Sequence, residues 1–247
     1  METETRHFAK INGYSNEMKE QPNPVHQPKT GMRARTNKAP QPDSAPVLVN
    51  RHHPWTESAE DTDSRLAPAS AFPDIRALDS NIRLDRTCLQ RLDALLDAVG
   101  GKNGIVVVSG YRDLAEQTEI YYSSLRENGA AYTAKFVALP GCSEHHTGLA
   151  VDVGSVAGGL DFIAPEFPDH GVCGAFKAKA AEFGFVQRYK AHKEYLTGIS
   201  CEPWHFRYVG APHAAIMEER DLCLEEYVEI LRQERAKAGH GEASYGN

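Results

Sequence analysis

Ten residues, Ser143 to Asp152, read SEHHTGLAVD and join two adjacent histidines to an alternating apolar run through a single glycine. The alternation places Leu149, Val151 and Val153 on one face of a strand and Ala150 and Asp152 on the other. A carboxylate among buried positions needs a partner. Gly148 lets the preceding loop fold back, so a loop histidine and the strand aspartate can meet. The chain must therefore build a sheet with an apolar face and a face that carries chemistry.

The remaining periodicities surround that strand with helices and further strands. Leu89, Leu92, Leu95, Leu96 and Val99 form one stripe of a helix over about 85–99, ended by Gly100-Gly101. Ile105–Val108 is short and wholly β-branched, which predicts a buried strand. Helices are expected over 114–127, 175–183, 212–219 and 224–235, and strands over 47–50, 185–189 and 205–209, with 57–70 a loop. Helices mixed with antiparallel-compatible strands predict an α+β fold, an antiparallel sheet floor flanked by helices. Residues 1–45 are polar and proline-rich and are expected to form a disordered extension. The folded domain is expected over 46–237 and a flexible tail over 238–247.

The net charge of −7 gives no basic footprint for nucleic acid or anionic lipid. No apolar run is long enough for a transmembrane helix, and the first twenty residues hold no apolar signal core. The expectation is a cytoplasmic protein. Five cysteines at scattered spacing, with no C-x-x-C pair, read as free thiols.

A catalytic zinc site needs three protein ligands and an open position. His145 and Asp152 supply two, and His205 in Glu202-Pro203-Trp204-His205 a third. Spacing alone leaves His146 as a rival to His145. Glu202 can stand beside the metal as a general base. Arg112, directly after the buried strand, offers a fixed cation for a developing oxyanion.

Ser143-x-His145-x-x-Gly148-x-Ala150-x-Asp152, Glu202-x-Trp204-His205, and Ser109-Gly110-Tyr111-Arg112 with Gln117 together resemble the VanY-type D-alanyl-D-alanine carboxypeptidases and the related VanX and VanXY dipeptidases. These are zinc peptidases of the lysostaphin/D-Ala-D-Ala-metallopeptidase/hedgehog fold. The resemblance spans about Val47 to Tyr227. It implies zinc on His145, Asp152 and His205, Glu202 as base and Arg112 at the oxyanion. It also implies Gln117 and Ser143 as substrate-holding residues, and makes His146 a bystander. The implied substrate is a peptidoglycan precursor peptide ending in D-Ala-D-Ala, and the family context is glycopeptide resistance.

Some bifunctional relatives carry an acidic residue before Gly-Tyr-Arg, where this chain has Ser109. A serine cannot neutralise the ammonium of a free dipeptide, so a D,D-carboxypeptidase is expected over a dipeptidase. The alternatives are an L,D-carboxypeptidase of peptidoglycan recycling and a non-catalytic binding domain with a relic metal site.

Overall fold

The fold was read from a computed structural model, which describes residues 45–158 and 164–242. The expected extension over 1–45 lies outside these residues save for Ala45, and residues 243–247 of the expected tail lie outside them too.

The centre is a four-stranded antiparallel sheet of β3 (Ile105–Ser109), β4 (Ala150–Ser155), β5 (Phe185–Tyr189) and β6 (Glu202–Tyr208), in the order β3-β4-β6-β5. One face is apolar. Val107, Val151, Val153, Phe185 and Phe206 pack there against Leu89, Leu92, Leu95 and Leu96 of α2 (Arg86–Ala98) and Phe176 of α4 (Gly171–Lys179). The four α2 leucines are essentially inaccessible to solvent, and truncating one to alanine would cost about 2–5 kcal/mol. A second core joins Val186 and Val209 to α6 (Ala211–Glu219) and α7 (Leu224–Glu242) through Ala214, Met217, Leu224 and Tyr227.

Local chemistry sets the helix ends. The Asp85 carboxylate caps α2 by accepting from the Thr87 and Cys88 amides. Asp113 and Glu116 form a reciprocal capping box at the start of α3 (Leu114–Phe136). The mixed helical and antiparallel architecture is the one expected from the periodicities.

Four expectations need correction. Residues 47–50 form no strand; Asn50 and His53 make only an isolated bridge. A three-residue apolar run has no ladder unless a neighbouring strand edge is open. The expected loop over 57–70 contains α1 (Ala59–Asp63), capped by Ser58, and β1 (Leu66–Pro68), which pairs with β2 (Arg83–Asp85). The helix expected over 114–127 does end at Asn128-Gly129: Gly129 leaves the helical region at φ +81°, and a second helical stretch follows to Phe136, in which Thr133 bonds back to the Gly129 carbonyl. The region expected as a single helix over 175–183 starts earlier, at Gly171, and tightens over Ala180–Phe183 into a 3-10 turn closed by left-handed Gly184. α7 also runs beyond the expected Arg235, to Glu242, so the expected tail begins inside its backbone.

Candidate metal centre

The site lies on the sheet face opposite the leucine core. In β4 the pleat sends Val151 and Val153 to the core and Asp152 to the other side. β4 and β6 pair so that Asp152 stands directly opposite His205. His145 comes from a short 3-10 turn over Glu144–Thr147 that precedes β4. That turn closes on Gly148 in the left-handed region, φ +70°. A Cβ at Gly148 would also lie 2.6 Å from Leu66 Cδ2 and 3.1 Å from the Asp85 amide nitrogen. The fold-back therefore requires glycine for both conformation and space.

The three side chains converge. Ligand-capable atoms of His145, Asp152 and His205 all lie within 4.8 Å of one another, and all three residues are buried. His145 Nδ1 donates to the Gly110 carbonyl at 2.6 Å, while its Nε2, 3.2 Å from Asp152 Oδ2, is buried with no hydrogen-bond partner. His205 Nδ1 lies 2.8 Å from Asp152 Oδ1, and its Nε2 lies 3.3 Å from Glu144 Oε2. Each histidine thus has one nitrogen engaged by the protein behind it and the other directed at the triad.

In the metal-free protein, burial first, then Arg112, brings the His145 imidazole down to about 4. It is neutral at pH 7, with its proton held on Nδ1 by Gly110. Burial alone would raise the Asp152 carboxyl, but His145 and His205 hold it well below the carboxylate range. Burial opposes charge on His205, yet Asp152 and Glu144 on either side raise it to about 9. Burial, aided by the negative Asp152 and Glu144, pushes Glu202 up to about 8 against the pull of His205 and Arg112. A carboxylate so shifted accepts protons readily.

Glu202 and His205 are three apart, and a regular pleat would send them to opposite faces. The register between β5 and β6 breaks here: two steps along β5, Gln187 to Tyr189, match four along β6, Phe206 to Glu202. Pro203, which has no amide proton for the ladder, lies in that bulge. The interruption lets Glu202 share the site's electrostatics with His205.

A second bulge lies in β3, where Val107 pairs with Val153 but Ser109 pairs with Asp152. It brings Ser109-Gly110-Tyr111-Arg112 alongside the triad. A Cβ at Gly110 would stand 2.4 Å from the Arg83 carbonyl, so only glycine passes there. Arg112 places one terminal nitrogen 3.8 Å from Asp152 Oδ2 and the other 3.1 Å from Gln117 Oε1. Gln117 also donates to the Ala138 carbonyl, so both ends of its amide are engaged by the protein. Ser143 Oγ accepts the His145 amide at 3.3 Å and caps the 3-10 turn.

The structure thus brings together His145, Asp152, His205, Glu202 and Arg112, with Gln117 behind Arg112, Ser143 below His145 and Ser109 opposite Asp152. It corrects the view of His146 as a bystander. Its Nδ1 donates to the Arg112 carbonyl and its Nε2 accepts the Gly141 amide, which fixes the histidine loop to the arginine segment. Sequence reasoning also missed Glu144, Arg188 and Arg207, all buried. The available signal was an arginine within each of two strand-like runs, Phe185–Tyr189 and His205–Val209, since buried cations imply a buried anion. A cavity of about 230 Å³ opens beside Tyr189, lined also by Tyr121, Val137, Ala138, Leu139 and Cys142. The Tyr189 ring lies 5.0 Å from that of His205, but no residue of the triad itself lines the cavity.

A family model described as VanY, D-alanyl-D-alanine carboxypeptidase, matches residues 81–211, which include every site residue named above. The chain is 41% identical over 187 residues to the bifunctional D-Ala-D-Ala dipeptidase and D-Ala-D-Ala carboxypeptidase VanXYC of Enterococcus gallinarum; the match covers 75% of this chain and 94% of that protein. It is similar to the solved structure of the vancomycin-resistance D,D-dipeptidase VanXYg with a D-Ala-D-Ala phosphinate analogue, at 45% identity and a TM-score of 0.67, covering 74% of this chain and 70% of that one. A variant of the D,D-pentapeptidase VanY from the VanB-type resistance cassette, in complex with Zn(II), matches at 32% identity and a TM-score of 0.57, covering 74% and 97%.

Proposed function

This chain belongs to the VanY family of D-alanyl-D-alanine carboxypeptidases, and from that premise we propose that it is a zinc D,D-carboxypeptidase that removes the terminal D-alanine from peptidoglycan precursor peptides. The observation that carries the reading is the buried triad of His145, Asp152 and His205. The donor set fits zinc: two imidazoles and a carboxylate, with one buried imidazole nitrogen unsatisfied by any protein group. When bound, the metal supplies Lewis-acid chemistry at the scissile carbonyl.

The protein's own residues do the rest. Glu202 takes the proton of the attacking water and passes it to the departing amine of D-alanine. Arg112, held by Gln117, offers its guanidinium to the oxygen on which negative charge builds. Ser143 supports the turn that carries His145. The cavity beside Tyr189 is the proposed seat for the acyl part of the peptide, with the Ala138 carbonyl, fixed by Gln117, at its wall.

Ser109 carries the proposed preference for an acylated peptide over free D-Ala-D-Ala. The L,D-carboxypeptidase alternative is the less supported, because the relatives described above are named for D-Ala-D-Ala. A relic binding domain has no need of a base and an oxyanion cation together. Among the described residues no helix is long and apolar enough to cross a membrane. We place the enzyme in the cytoplasm with soluble precursors, which cell fractionation would test.

The deciding experiment incubates the zinc-loaded chain with free D-Ala-D-Ala, an acylated tripeptide ending in D-Ala-D-Ala, and a tetrapeptide ending in a single D-Ala, and assays released D-alanine. Release from the acylated D-Ala-D-Ala peptide is expected. Release from the tetrapeptide alone would select the L,D reading, and release from none would leave a binding domain.

A further inference from the structure

Behind the triad lies a layer of buried charge that the proposed reaction does not use. Glu144 directly precedes His145, yet its side chain is fully buried. One carboxylate oxygen lies 3.3 Å from His205 Nε2. The other accepts Arg188 Nε at 2.8 Å and lies 3.2 Å from an Arg207 terminal nitrogen. Arg188 then turns its two terminal nitrogens onto Glu225 of α7, at 2.9 and 2.6 Å. Glu225 also accepts from Asn50 Nδ2 at 3.2 Å, and Arg207 donates to the Val47 carbonyl at 2.9 Å.

The chemistry of this layer is directional. Two carboxylates and two guanidiniums lie within ion-pair distance of one another, so the layer is charge-balanced as packed. An ionised carboxylate only accepts hydrogen bonds. It therefore holds the proton of His205 Nε2, so that Nδ1, the atom facing Asp152, is the nitrogen left for a metal that displaces its proton. Arg188 is shared between Glu144 and Glu225, so the carboxylate's position depends on a helix at the far end of the chain.

We propose that Glu144 is a positioning residue that fixes the ring orientation and tautomer of His205 for metal binding, and that the Arg188–Glu225 pair makes this positioning depend on α7. It rests on the reading of His145, Asp152 and His205 as the metal ligands. The segment 47–50 and the first turn of α7 are then outer parts of the metal centre, although neither reaches the substrate.

The test uses the full chain and zinc alone. Zinc dissociation constants are measured by competition with a chromophoric chelator for the unmodified protein, Glu144→Gln and Glu225→Gln. Glu144→Gln is expected to weaken zinc binding about 10–100-fold, and Glu225→Gln about 2–30-fold. Histidine-ring nitrogen NMR of the zinc-loaded proteins supplies a readout that a general loss of stability would not mimic. The His205 ring signals are expected to move in both variants while those of His146 hold. If Glu144→Gln does not fold, Glu225→Gln decides, because it leaves Glu144 and His205 in place. Zinc affinity and His205 ring signals unchanged in the folded variants would overturn the proposal and leave the metal assignment standing. Failure of the unmodified chain to bind zinc would overturn both.

Discussion

Asp152 and His205 are 53 residues apart in sequence and directly opposite one another in adjacent antiparallel strands, with His205 Nδ1 2.8 Å from Asp152 Oδ1. This single cross-strand pair supplies two of the three members of the candidate metal triad. His145 completes it from the turn that leads into the same strand as Asp152.

Replacing His145, Asp152 or His205 with alanine is expected to remove most bound zinc, as measured by elemental analysis after dialysis. His146→Ala should keep the metal, because both of its ring nitrogens bond to backbone. It should still lower activity, because the ties to Arg112 and Gly141 are lost. Zinc lost from His146→Ala and kept by His145→Ala would reverse the assignment.

Glu202→Ala should retain zinc and fold normally but lose about 10²–10⁴-fold in kcat, the usual weight of general-base assistance. Near-normal turnover would exclude the role. Arg112→Ala should also retain zinc and lower kcat more than it raises KM, since the guanidinium is needed most when charge develops on oxygen.

Ser109 sits opposite Asp152 at the edge of the site. The unmodified enzyme should show a higher kcat/KM for an acylated peptide ending in D-Ala-D-Ala than for the free dipeptide, whose buried ammonium would lack a counter-charge. Ser109→Asp should move that ratio toward the dipeptide. An unmoved ratio would show that a different group sets the preference.

Glu225 gives a pH dependence of stability. Burial would raise its carboxyl, but Arg188 and Asn50 outweigh that and hold it below its ordinary value of 4.5. A carboxyl lowered in the folded state stabilises the fold above about 4.5, and that contribution is lost as pH falls through the folded value. Thermal melts between pH 6 and pH 3 should therefore fall less steeply for Glu225→Gln than for the unmodified protein. Equal slopes would mean that the pair with Arg188 adds nothing to stability.

Much of the site was legible in the sequence because its information is local. The alternation of Leu149, Val151 and Val153 against Asp152, the turn at Gly148 and the leucine stripe of α2 each follow from side-chain period and backbone sterics within a few residues. The resemblance then selected His145 over His146, a choice that spacing left open. What only the tertiary structure decided depends on which strand edges meet. β4 had to pair with β6 for Asp152 to face His205, and β6 had to bulge at Pro203 for Glu202 to share the site. Glu144 had no visible partner until Arg188, Arg207 and α7 were folded around it. Residues 47–50 read as a strand from their side chains, but hydrogen-bond pairing is a property of two segments, and no second edge was offered to them. The second helical stretch beyond Gly129 was not legible for the same kind of reason: Thr133 and Ser124, nine residues apart, bond across the kink and bury together, a contact that no local propensity encodes.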